Sequence, residues 1–448
     1  MSVIGVAIAL AALVSPAHGA GFATGFADPG FVSADRNEVL DEAIKAQAGY
    51  ARINLPWAAI ASRAPARPTD PADPAYDFRA YDAAIVSARS KGLEPLLTVT
   101  EAPKFAEGKG RPGSAPAGSW KPDAKAYGSF ARAVAARYSG HFSGLPRVRY
   151  YQAWNEPNLS VYLTPQYKGK RSVAPRIYRK LLNQFYAGVK AVSRSNVVVT
   201  GGTAPYGDPP GGDRTRPLTF WRSVLCLQGH KRLHRSKCPH KAKFDVLAHH
   251  PINTSGGPKR SARDPDDAST ADFGQLRKIL HAAKRHHTLG AHGHQKLWAT
   301  EIWWSSKPPD PRGVRPAKQA RYIEQALYLL WRQGAKVVIN LQVRDPAQGG
   351  GDVYAGVYFH DGKPKPALTA FRFPFVTDRT STHVVRAWGK SPRGGRLTIE
   401  RKHGSGWKRV KHLKVGEGKV FTTTLRLSGK AHLRAIVGGE KSLAWRAR

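Results

Sequence analysis

The segment Gln152-Ala-Trp-Asn-Glu-Pro-Asn158 sets one carboxylate, Glu156, between an aromatic and two amides, directly after the strand-like run 147–151. A second acid, Glu301, holds a similar place in Leu297-Trp-Ala-Thr-Glu-Ile-Trp-Trp304. Two carboxylates flanking one site are what glycosidic bond cleavage needs. One protonates the leaving oxygen, while the other attacks the anomeric carbon or activates water. Mutual repulsion and burial against aromatics raise the pKa of one acid, so that it can hold a proton for donation. Taken singly, each acid has a plainer explanation, since Asn-Glu-Pro is also turn chemistry and Thr-Glu is a common dipeptide. The elements that carry the two acids decide between these readings.

Short β-branched or apolar runs alternate with helix-period segments from Gly21 to about Phe375. Eight runs read as strands, beginning with 21–27, 50–55, 93–100 and 148–155 and continuing with 196–203, 244–250, 296–304 and 335–343. Helical periodicity stands between them in 36–48, 79–92, 124–140, 175–194, 272–287 and 317–334. Continuously apolar strands alternating with helices predict a parallel sheet covered on both faces, and eight units predict an α/β fold of the closed (β/α)8 TIM-barrel type. An open doubly wound sheet is the competing topology, but no glycine-rich phosphate loop follows the first strand. In a barrel, functional side chains project from the C-terminal ends of the strands. Glu156 closes the fourth run and Glu301 the seventh, so both face one mouth.

After residue 375 the texture changes to short alternating runs broken by Gly-rich turns, which predicts a small C-terminal β-sandwich over 376–448. The catalytic barrel is expected over 21–375. Residues 1–20, an apolar run ending in Ser-Pro and small residues, read as a signal peptide without a basic start, with a membrane anchor as the alternative. The run falls short of the ~20 residues that a span needs, and no later segment is apolar enough to cross a bilayer, so an exported, extracellular protein is expected. Cys226 and Cys238, the two cysteines, are expected to form a disulfide in that setting. The formal charge is +40, from 71 Lys and Arg against 31 Asp and Glu. It suits an anionic cell wall or acidic polysaccharide, and equally a solvated basic surface. The cations are spread along the chain without a nucleic-acid-binding motif, so no specific nucleic acid is expected.

With Trp-Asn-Glu-Pro-Asn on the fourth strand and Ala-Thr-Glu-Ile-Trp-Trp on the seventh, the chain resembles the clan A glycoside hydrolases, nearest in appearance to families 5 and 39. The resemblance spans Gly21 to Phe375 as an architecture, with residue matches confined to strand ends. It implies Glu156 as general acid/base and Glu301 as nucleophile in a double displacement that retains anomeric configuration. It further implies Asn155 on the sugar 2-hydroxyl and Arg52 holding the nucleophile ionised. His250 lies where the clan carries a His-x-Tyr pair, but Ile252 stands in the tyrosine position. Trp57, Trp303 and Trp304 are candidate sugar-stacking rings. Trp303 and Trp304 are neighbours on an extended segment, so one of them is expected in the core. Gln342 and Arg344 follow the eighth strand, where an arginine suits a carboxylate-bearing sugar and a salt bridge is the alternative. The histidine-rich stretch 281–294 lacks the carboxylate or cysteine set of a metal site, and the chemistry requires no cofactor.

The expectation is a secreted retaining glycosidase acting on an oligo- or polysaccharide. Its rivals are a carbohydrate-binding barrel without activity and a polyanion-binding scaffold. Neither rival needs a carboxylate pair. The long loops 103–122 and 205–217, rich in Gly and Pro, are expected to wall the cleft.

Overall fold

A computed structural model describes residues 21–253, 256–291, 293, 295–349 and 353–447. The expected signal peptide over 1–20 and two of the five histidines of the 281–294 stretch, His292 and His294, lie outside the described residues. Eight parallel strands close into a barrel in chain order. They are β1 (Ala23–Ala27), β2 (Tyr50–Pro56), β3 (Glu94–Thr100), β4 (Tyr150–Ala153), β5 (Val197–Thr200), β6 (Val246–His249), β7 (Lys296–Ile302) and β8 (Ala335–Leu341), the last pairing with β1. Each expected strand is present, trimmed by a few residues at its ends.

A helix follows each strand: α1 (Arg36–Lys45), α2 (Arg79–Ser90), α3 (Ala124–Arg137), α4 (Ala174–Val192), α5 (Pro217–Val224), α6 (Gly274–Arg285), α7 (Pro316–Arg332) and α8 (Pro366–Arg372). The sequence pattern reveals six of these. It misses α5 and α8, which are only 8 and 7 residues long, too short for the 3.6-residue period to repeat convincingly. The longest, α4, shows why such segments fold against the sheet. Tyr178, Leu181, Leu182, Phe185 and Val189 recur on one face and are buried, while Arg176 and Lys180 stay exposed. A proline in its first turn fixes the entry, where a missing N–H has no cost. Helices α3 and α4 pack at backbone distance through Gly128 and Gly188. A Cβ on Gly188 would lie 2.1 Å from the Gly128 carbonyl oxygen, so neither position accepts a side chain.

Inside the barrel, Tyr50, Tyr150 and Trp298 bring their rings to 5.3–5.5 Å of one another and fill the interior. The residues beyond Phe373 form a three-stranded sheet, β9 (Phe375–Ser381), β10 (Val384–Lys390) and β13 (Val420–Arg426). A second sheet is built from β11 (Gly395–His403), β12 (Gly406–Val415), β14 (Ala431–Val437), β15 (Glu440–Lys441) and β16 (Trp445–Ala447). Val385, Phe421, Leu397, Ile399 and Leu433 close the core between the sheets. This unit seats on the barrel through Trp388, whose ring meets Tyr328 and Trp331 of α7. Cys226 and Cys238 are disulfide-bonded and close the loop that carries the small hairpin 227–235. No helix among the described residues is long and apolar enough to cross a membrane.

Candidate active site

The mouth is organised around Arg52, projecting from β2 and 2 % exposed. Its Nη1 donates to Glu301 Oε2 at 3.1 Å and its Nη2 to Asn155 Oδ1 at 2.7 Å. Its Nε donates to Thr98 Oγ1 and Gln152 Oε1 at 3.1 and 3.0 Å. The Gln152 amide nitrogen continues the network to the Thr200 carbonyl and Thr300 Oγ1. From β2, one guanidinium thus links acceptors on β3, on β4 and just beyond it, and on β7, a task suited to its rigid planar fork. The network also satisfies groups that would be costly to bury alone.

Glu156 lies just beyond β4 with φ of +37°, and Trp154 before it has φ of +75°. Such left-handed conformations in residues with a Cβ cost of order 1–3 kcal/mol each and persist only where the surroundings impose them. Here the Glu156 N–H donates to the Gly202 carbonyl at 3.0 Å. The Trp154 indole N–H donates to the Tyr162 carbonyl at 2.9 Å. This backbone turns the Glu156 carboxylate toward His250, whose Nδ1 lies 2.9 Å from Oε1. Burial pushes the Glu156 carboxyl up to about 7, opposed by the positive charge of Arg52.

His250 is fully buried, and burial drives its pKa down to about 3 against the pull of Glu301. The ring is therefore neutral across the ordinary pH range. Its Nδ1 faces both acids, at 2.9 Å from Glu156 and 3.8 Å from Glu301, while its Nε2 is buried with no hydrogen-bond partner among the described residues. The ring lies on Gly202, where a Cβ would come within 2.2 Å of Nε2. A hydrogen at that position is the condition for His250 to sit beside Glu156. His249 is structural, with Nδ1 on the Thr203 hydroxyl and Nε2 on the Ala268 carbonyl.

Glu156, His250 and Glu301 each present one atom within 4.8 Å of the others, a spacing that a cation could bridge. The Glu301 oxygen nearest His250 is the same Oε2 that Arg52 already holds. A metal there would face a guanidinium at contact range, so the donor set suits proton and acyl-type chemistry on the carboxylates better than metal ligation.

The structure brings Arg52, Asn155, Glu156, His250 and Glu301 together. It moves Trp57 out of the site, and it decides two alternatives that the sequence left open, for the Trp303–Trp304 pair and for Arg344. Trp57 is 1 % exposed, stacked on Phe130 at 5.3 Å beneath α3, so no sugar reaches it. Trp304 is buried, with its indole N–H on the Gly256 carbonyl and its ring against Tyr322. Trp303 shares the parity of Glu301 and is half-buried, so of the two neighbouring tryptophans it is the one available to a ligand. Arg344 pairs with Glu38 and Glu42 on α1, and Asp345 pairs with Lys365. That arginine is spent on the barrel wall and cannot recognise a sugar carboxylate. Gln342, with φ of +68°, anchors its Oε1 on the Ala355 N–H, and its amide nitrogen has no partner among the described residues.

Thr98, Gln152, Thr300 and Tyr162 escaped the sequence reading. The inward alternation that marks Arg52 on its strand also marks Thr98 on β3 and Gln152 on β4, and could have found both. Tyr162 had no such signal. It comes from the loop after β4 and lies near the Asn155 side chain, and burial together with the charge of both glutamates pushes its hydroxyl up to about 12.

No protein-family model matches the chain, and no curated protein matches it in sequence. Solved structures match it in fold. A family 39 glycoside hydrolase from Bacteroides cellulosilyticus is 16 % identical with a TM-score of 0.52, over 87 % of this chain and 78 % of that one. A family 39 β-xylosidase from Caulobacter crescentus is 14 % identical with a TM-score of 0.53, over 92 % and 97 %. A family 5, subfamily 18 protein from Streptomyces cattleya, in complex with GlcNAc, is 14 % identical with a TM-score of 0.51, over 78 % and 79 %. The chain thus has the fold of the clan A glycoside hydrolases. At these identities the likeness is one of fold, and the roles of individual side chains rest on the geometry of this site.

Proposed function

We propose that the protein is a retaining glycoside hydrolase in which Glu156 is the general acid/base and Glu301 the nucleophile. The observation that carries this reading is the unequal treatment of two neighbouring carboxylates. Glu156, half-buried beside His250, is held near 7 by desolvation, while Glu301, half-buried to a similar degree, receives the Arg52 guanidinium directly. A proton held on Glu156 beside a carboxylate paired to a guanidinium divides the acid and nucleophile roles between the two. An oxygen of each lies within 4.8 Å of the other, closer than the ~6.5–9.5 Å that leaves room for an activated water in inverting enzymes.

In the first step Glu301 attacks the anomeric carbon as the glycosidic C–O bond breaks, and Glu156 passes its proton to the departing oxygen. In the second, ionised Glu156 takes a proton from water, which attacks the same carbon and releases Glu301. His250, neutral throughout, donates its Nδ1 hydrogen to Glu156 when that acid is ionised. Asn155, its oxygen engaged by Arg52, has its amide hydrogens to offer to a sugar hydroxyl, and the half-buried Trp303 ring offers a stacking face. The substrate is an oligo- or polysaccharide met outside the cell, the leading apolar segment serving export.

The test is turnover of aryl glycosides and oligosaccharides with the first-formed anomer followed by NMR, in parallel with Glu301→Ala. Retained configuration, with turnover lost in the variant, is expected. Inverted product, or activity undiminished by Glu301→Ala, would remove the double displacement.

A further inference from the structure

We infer that the barrel carries a second carbohydrate site on its outer wall, a groove for an anionic polysaccharide. A cavity of about 1610 Å³ runs between the outer faces of α3 and α4 and the segment 239–243 that precedes β6. Lys121 and Lys125 line one side, Arg176 and Lys180 the floor along α4, and Lys241 and Lys243 the far side. All six are exposed, and none forms a salt bridge among the described residues. Some cations on other faces are paired. Arg137, Arg214, Arg222 and Lys190 all meet aspartates. The lining contains one acid, Asp123, whose side chain caps α3 by accepting the Ala126 N–H. Six cations without a carboxylate partner, Lys121 among them resting over the Trp120 ring at 4.3 Å, converge on one concavity and form a positive trough, where low-dielectric walls concentrate the field.

The occupant is identified by what the trough offers. Arg176 and Lys180 lie one turn apart on α4 and continue to Gln184, so charge and amide line the floor in a row about 12 Å long. Such a row suits a linear polymer bearing repeated carboxylates or sulfates better than a single small anion. At the upper end Trp120 and Tyr167 are half-buried at the wall, and rings of this kind pack on sugar faces. The preference for a polysaccharide over a nucleic acid rests on the glycosidase reading of the mouth. The groove lies outside the barrel, so it would hold a polymer without occupying the catalytic carboxylates. A polymer held there keeps the enzyme near its wall of substrate.

The experiment measures binding of the full chain to polygalacturonate, to a neutral polysaccharide, and to single-stranded DNA, at about physiological salt so that loose surface attraction is screened. Two triple charge reversals are compared, one in the groove (Lys125→Glu, Lys180→Glu, Lys241→Glu) and one on the exposed strand β12 (Lys408→Glu, Lys411→Glu, Lys414→Glu). Both change net charge equally. The groove variant is expected to lose about tenfold or more in polygalacturonate affinity while the β12 variant loses little. Equal losses would mean that net charge alone drives binding, and tighter binding of DNA than of polygalacturonate would make the partner a nucleic acid. Either result overturns the proposal. The readout is affinity, so it stands apart from turnover: a protein that hydrolyses nothing yet binds through the groove would refute the catalytic reading alone.

Discussion

Replacing Glu156 by Gln keeps the side-chain shape and removes both its proton and its charge. The folded protein holds this carboxyl at about 7 against an ordinary 4.5, a gap that corresponds to roughly 3 kcal/mol. The folded state binds the proton more tightly than the unfolded chain does. The stability contributed by this group is therefore complete below about pH 4.5 and is lost as pH rises through about 7. Gln has no such loss. The variant should match the parent near pH 4.5 and exceed it by roughly 3 kcal/mol above about pH 8, read from urea unfolding followed by tryptophan fluorescence. Activity should move the other way. The limb of kcat/KM that falls above about pH 7 should vanish. For an alkyl glycoside the rate should drop roughly 10²–10⁴-fold, the usual contribution of a general acid. A dinitrophenyl glycoside, whose leaving group needs no proton, should suffer far less in its first step. Equal losses on both substrates, or a stability difference that is the same at both pH values, would refute the assignment of Glu156 as the proton donor.

Four further outcomes test the site. Arg52→Lys replaces a fork serving Glu301, Asn155, Thr98 and Gln152 with a point charge, and kcat/KM should fall by about 100-fold or more, with circular dichroism reporting a folded barrel. Gly202→Ala should push the His250 ring off its seat, costing about 1–3 kcal/mol by overpacking and shifting the alkaline limb of the rate profile, seen by thermal melts and a pH series. Trp57→Ala should cost about 3–5 kcal/mol of stability from the aromatic core, whereas Trp303→Ala should raise KM and leave the melting temperature nearly unchanged. Tyr162→Phe removes a hydroxyl set near Asn155 and both glutamates and should lower kcat/KM about tenfold, with no change in melting temperature.

The barrel was legible because its code is redundant. Eight apolar runs alternate with amphipathic segments, and a parallel sheet buried on both faces requires that alternation. The acids were legible for a related reason, since Glu156 lies just past β4 and Glu301 at the end of β7, and each strand's position in the count fixes the mouth its end occupies. Arg52, Asn155 and His250 were named by the family resemblance rather than by the count alone. What the sequence concealed was orientation in loops and beyond strand ends. Trp57 sits one residue past β2, where the chain enters a helical turn and carries the ring outward to Phe130. Arg344 turned toward Glu38 and Glu42 because α1 presents two acids one turn apart, a pairing between segments about 300 residues apart in the chain. Tyr162 reaches the mouth from a loop held by the Trp154 indole, which no periodicity records.

Arg52 gives the barrel a further property. The same four hydrogen bonds that aim Glu301 and Asn155 also lace together the rims of β2, β3, β4 and β7. The bonds that set the geometry of the candidate site are therefore the same ones that brace the rim of a cylinder already closed by its backbone ladder. Opening the rim at these strands would part Glu301 from Asn155, so on heating, the turnover proposed for this chain is expected to be lost no later than the barrel melts.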